Sequence, residues 1–142
     1  MPCTDPSILQ FWEQLGGCVA GTEYLISHSR YGIRTDGDPL EALAEAALND
    51  PCIGSTEFRA QRVVEQARKY QAEAVIIPAI FGASHCSYEI REITSAVESQ
   101  CALPVLSFEV PFSTKAVSKQ VTNRLQAFAE LLEQRRTERA KD

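Results

Sequence analysis

The run AVIIPAI, residues 74–80, is apolar at every position. A half-solvated strand alternates apolar and polar residues. An unbroken apolar run of strand length, rich in β-branched residues, instead reads as a strand covered on both faces, as in a parallel sheet. Parallel neighbours need long crossover connections, usually helices, and the flanking sequence supplies them. Before the run, Ser55 or Thr56 opens a helix with Val63, Val64, Ala67 and Tyr70 on one face. After it, a helix passes through Ile90, Ile93 and Val97, and Pro104 then precedes a second strand, VLSFE. Ser113 is expected to cap a long last helix with Val117, Val121, Leu125, Phe128 and Leu132 on its inner face.

The N-terminal third follows the same logic. Asp5 or Ser7 can cap a helix whose apolar positions Ile8, Phe11, Trp12 and Leu15 fall at helical spacing, and Gly16 and Gly17 stop it. CVAGTEYLI, Cys18 to Ile26, reads as a strand, and SHSRYGIRTDGD as a polar loop of a length that is uncommon unless the loop works. Asp38 and Pro39 open a helix that runs to Asn49, where Pro51 forces residue 50 out of the helical region. The order α-β-loop-α-α-β-α-β-α implies an α/β fold with helices on both faces of a parallel sheet. The expectation is one domain over residues 1–142, with about three to four strands.

Charge and hydropathy narrow the class. The net charge of −5 argues against a nucleic-acid surface, and the basic cluster RRTERAK is interrupted by Glu138, as in a solvated helix end. No apolar run approaches the ~18 residues of a membrane span. The N-terminal segment carries Asp5 and Glu13 and no basic region of signal-peptide type. A cytoplasmic protein with no membrane or nucleic-acid partner is expected.

Five cysteines, Cys3, Cys18, Cys52, Cys86 and Cys101, are many for 142 residues. Their odd number, the absence of a CxxC pair and a cytosolic context favour metal, cluster or catalytic use over disulfides. Cys86 is expected in a loop just past the carboxyl end of the 74–80 strand, and Cys52 in the loop NDPCIGS that leads into a helix. Such loops carry function on α/β scaffolds. Cys18, at the start of a strand, and Cys101, at the end of a helix, read as packing residues, and Cys3 is terminal. For Cys52 and Cys86 the residues leave several readings open. They are two separately packed thiols, a shared iron–sulfur centre, a zinc site with His28 or His85 added, or a thiol nucleophile with one of those histidines as base.

DPLEALAEAALNDPC, AEAVIIPAIFGASHCSYE, ALPVLSFEV and QVTNRLQAFAELL occur in one order with consistent spacing. From about Asp5 to Gln134 the chain resembles the C-terminal domain of the iron–sulfur subunits of 2-hydroxyacyl-CoA dehydratases and benzoyl-CoA reductases, the 2-hydroxyglutaryl-CoA dehydratase D-component family. The resemblance implies a flavodoxin-like three-layer domain. It implies a [4Fe–4S] cluster held between two such domains by cysteines from distinct loops. An ATP-dependent activator protein would deliver an electron for transfer to an acyl-CoA thioester. Cys52 and Cys86 match two of the cluster cysteines and are the expected cofactor and metal ligands. Glu109, Gln120 and Arg124 match motif positions, with the alternative that Gln120 and Arg124 tie the last helix to a neighbouring loop. Cys3, Cys18 and Cys101 are not expected to be ligands.

The implied function is that of an iron–sulfur component acting on an acyl-CoA beside a sister subunit or N-terminal domain partner. The alternative is a cluster-free binding or regulatory module that retains the fold without catalysis. The pattern departs from the family in places. A further cysteine position falls near Ile26, with His28 the nearest candidate ligand, an acidic position is Pro111, and the apolar strand that precedes residue 1 in relatives is lacking. That strand would lie between the 18–26 and 74–80 strands, so the chain looks like a domain cut just inside its first strand. Without it both strands expose unpaired backbone groups, and a homo- or hetero-oligomer that fills the slot is expected.

Overall fold

The computed structural model describes residues 6–22, 33–48, 54–82, 84–110 and 118–141, with the side chains of residues 84–87 outside that set. Helices α1 (Pro6–Gln14), α2 (Pro39–Leu48) and α3 (Thr56–Lys69) precede strand β1 (Val75–Ile80). Helix α4 (Ser84–Cys101) crosses over to strand β2 (Val105–Val110), and α5 (Lys119–Arg139) follows. The strands pair in parallel, Val75 opposite Val105 through Ile80 opposite Val110. Among the described residues these two strands are the whole sheet.

The unbroken apolar run has a direct structural cause. Successive strand residues face opposite sides, and here both sides are covered. Ile76, Ile80, Leu106, Phe108 and Val110 pack with Ile8 and Trp12 of α1 and Val121, Leu125 and Phe128 of α5. Val75, Ile77 and Val105 pack on the other side with Ala60, Val64 and Ala67 of α3 and Ile93 and Val97 of α4. The result is three layers, helix on sheet on helix. Leu125, Val64 and Val97 are fully buried, and the rings of Trp12 and Phe128 sit 6.3 Å apart, joining α1 to α5. The α/β fold with a flavodoxin-like arrangement of layers is therefore present, as a small open parallel sheet.

Polar side chains open the helices. Asp38 Oδ1 accepts from the amides of Leu40 and Glu41, and Ser55 Oγ accepts from Phe58 N. Ser118 caps α5 by accepting from Val121 N, so the last helix starts five residues later than a cap at Ser113 implies; Ser113 and Val117 lie outside the described residues. The strand expected over residues 18–26 is not formed in its described part. Residues 18–22 are irregular, and the remainder lies outside the described set. A strand is held by a ladder to a neighbour, and the described residues place none beside this segment.

Candidate functional site

Helices α3 and α4 lie side by side and run in the same direction. At their beginnings Arg59 forms a half-buried ion pair with Glu89, and at their ends Arg68 Nη2 donates to Gln100 O at 2.9 Å. Between these ties Ala60, Val64 and Ala67 pack on Ile93 and Val97. Helix α4 begins just past the carboxyl end of β1, so the N-termini of both helices open at that edge of the sheet. This is the place where open α/β sheets bind ligands.

Two glycines shape the approaches. Gly82, in the corner from β1 into α4, has φ +84°, and Gly54, just before α3, has φ +128°. Both values lie in the left-handed half of backbone space, which a side chain would strain. At Gly82 nothing crowds an added Cβ, so the restriction there is purely conformational. The sharp corner brings the helix forward. Cys86 was expected in a loop; its backbone lies in the first turn of α4. Cys52 lies outside the described residues, and the sequence runs from it through Gly54 into α3 within four residues.

Helix N-termini carry partial positive charge from unpaired N–H groups, which lowers thiol pKa and favours bound anions. At the start of α3, the Ser55 hydroxyl and then the Glu57 amide hold the Glu57 carboxyl below the usual glutamate range. Phe81, just past β1, and Tyr88, near the start of α4, are 71% and 82% exposed. The sequence reading did not single out Arg59, Glu89, Phe81 or Tyr88. Arg59 and Glu89 fall on amphipathic helices at positions that resemble solvated charges, and only tertiary placement pairs them.

The other candidates separate by position. Cys101 ends α4 as expected, half-buried, with its thiol 4.0 Å from Val64 O. Cys18 is a correction: it is exposed in the irregular segment after α1, neither packed nor in a strand. Glu109 is exposed near the end of β2. Gln120 and Arg124 are exposed on α5, and neither side chain bonds to another described residue. Cys3 and His28 lie outside the described residues, as does the side chain of His85. Among the described residues, no three His, Cys, Asp or Glu side chains gather into a metal-holding group.

Layered helices about a parallel sheet, with two helix N-termini opening together at its carboxyl edge, define an α/β domain with a flavodoxin-like arrangement of layers. Its family follows from comparison: the profile described as 2-hydroxyglutaryl-CoA dehydratase, D-component, matches residues 1–132, and the chain belongs to that family. No curated protein and no solved structure matches the chain. No helix among the described residues is long and apolar enough to cross a membrane.

Proposed function

We propose that this chain is the cluster-holding part of a 2-hydroxyacyl-CoA dehydratase or benzoyl-CoA reductase-like system, passing an electron to an acyl-CoA thioester in the cytoplasm. The observation that carries the reading is the pairing of the α3 and α4 N-termini at one sheet edge, with Cys86 in the first turn of α4 and Cys52 four residues ahead of α3. Thiolates are the usual protein ligands of iron–sulfur clusters, four to a [4Fe–4S] centre. The donor set therefore fits as half of a site, with the remaining ligands supplied by a sister subunit or by His28 or His85.

In this reading Cys52 and Cys86 would hold the cluster as thiolates, the form in which cysteine ligates iron–sulfur centres. The Arg59–Glu89 pair ties the beginnings of α3 and α4 together. The exposed Phe81 and Tyr88 offer apolar surface against which the partner closes and excludes water. When bound, a [4Fe–4S] cluster would supply low-potential one-electron transfer to the thioester, after reduction by an ATP-dependent activator. The second reading, a cluster-free binding or regulatory module, is favoured by the two-thiol donor set alone.

Anaerobic alkylation separates the two. A shared centre protects both thiols, and Cys52→Ser must then release Cys86 to iodoacetamide, read by peptide mass spectrometry. Free labelling of both thiols in the unmodified, anaerobically isolated protein supports the cluster-free module.

A further inference from the structure

We infer that the outer edge of β2, together with the flank of α4, is a self-complementary surface on which a second copy of this chain docks. The two copies would form a continuous four-stranded sheet about a two-fold axis. The inference is independent of the iron centre.

The two edges of the sheet are not equivalent. Val75 N donates to Pro104 O and Phe81 N to Val110 O, across to β2. In a parallel ladder alternate residues face the same neighbour, so Val75, Ile77 and Ala79 face β2, and Ile76, Pro78 and Ile80 face the opposite edge. Pro78 lacks an N–H, so a strand added on the β1 flank finds no donor at the middle of the ladder. A strand filling the slot expected beside residues 74–80 would thus lose one ladder bond at Pro78. On β2 the outward residues are Val105, Ser107 and Glu109, all with both backbone groups.

This second edge lies beside a groove. Ser107 forms one side of it, and Ile90, Arg91, Thr94, Ser95, Glu98 and Ser99 of α4 form the other. The arrangement suits addition of a strand, and its symmetry selects the strand. Ser107 is the midpoint of Val105, Ser107 and Glu109. The step between Thr94 and Ser95 is the midpoint between Arg91 and Glu98. Both midpoints border the one groove, so a two-fold axis set beside them, normal to the sheet and just outside β2, would serve strand and helix alike. About that axis β2 pairs antiparallel with its mate, and α4 runs antiparallel to its mate. Arg91 then faces Glu98 of the second copy, twice over. Neither residue has an ion-pair partner among the described residues, and both are exposed.

The spacing agrees. Helix α4 packs over both strands, so it lies half a strand spacing inside β2, while the axis lies half a spacing outside. With strands about 4.8 Å apart, the two α4 helices run about 9.6 Å apart, within the ~8–10 Å of packed helices.

The test is light scattering with size separation over a concentration series, on the full chain. The expected species is a dimer of twice the 15.7 kDa chain mass. R91E and E98R should each weaken it by about tenfold or more, since like charges then oppose across the axis. The double variant R91E/E98R should regain wild-type affinity. Slowed hydrogen exchange at Val105, Ser107 and Glu109 should accompany dimer formation. A wild-type monomer at all concentrations overturns the inference, as does a dimer indifferent to the single charge reversals or not restored by the double one.

Discussion

Arg136, in the last turn of α5, grips Glu73, just before β1, through both of its carboxylate oxygens. The guanidinium hydrogen bonds, opposed by slight burial and aided by the charges of Arg136 and Arg139, hold the Glu73 carboxyl below its ordinary value of 4.5. A carboxyl depressed on folding contributes stability that is present above the unfolded value and lost as pH falls through the folded one. Both side chains are about half exposed, so the contribution is small. Glu73→Gln should lower the melting temperature slightly at neutral pH. The difference should shrink as pH falls below the ordinary carboxylate range and vanish once Glu73 is protonated in the folded protein as well. A difference that persists undiminished into acid would assign the effect to packing instead of charge.

At the scale of elements, both helix-to-strand corners use a left-handed residue that is not glycine. Gln71 has φ 51° between α3 and β1, and Ala102 has φ 54° between α4 and β2. Such residues carry about 1–3 kcal/mol of strain. Ala102 is exposed, so its methyl group contributes little burial that glycine would lose. Ala102→Gly should therefore raise unfolding free energy by about 1 kcal/mol, partly offset by the greater freedom of glycine when unfolded. Chemical denaturation measures it, and a destabilised variant would contradict the strain argument.

The elements themselves were largely legible because their signals are local and agree. The unbroken apolar run of 74–80, the VLSFE segment after Pro104, the helical stripe of Val121, Leu125 and Phe128, and the caps at Asp38 and Ser55 each follow from side chains within a few residues. Two features were not. Residues 18–22 have strand-like composition, but composition does not supply a neighbour to pair with. The start of α4 ahead of Cys86 depends on the φ +84° corner at Gly82, which a glycine permits without announcing. In the candidate site, the sequence placed Cys86 just past β1 but in a loop, where the structure has the first turn of α4, and Cys52 lies outside the described residues. The parallel packing of α3 and α4 and the Arg59–Glu89 tie were not legible, because they join residues 30 apart.

For the whole molecule, the two open features have opposite characters. The carboxyl edge of the sheet presents helix N-termini and exposed aromatics, which suit an anionic cofactor and a partner surface. The lateral edges differ in backbone chemistry, one interrupted by Pro78 and one with every donor intact. A dimer through β2 would leave the carboxyl edge free, because the two-fold axis lies to the side of the sheet. Cofactor and assembly can then coexist in one particle.

The central claim is that Cys52 and Cys86 together hold an iron–sulfur centre. Iron and acid-labile sulfide, assayed after anaerobic isolation and reconstitution, test it most directly. The account predicts bound iron and sulfide in wild type, their loss in both Cys52→Ser and Cys86→Ser, and their retention in Cys18→Ser and Cys101→Ser. A wild-type protein that takes up no iron, or serine variants at 52 and 86 that hold as much as wild type, would contradict it.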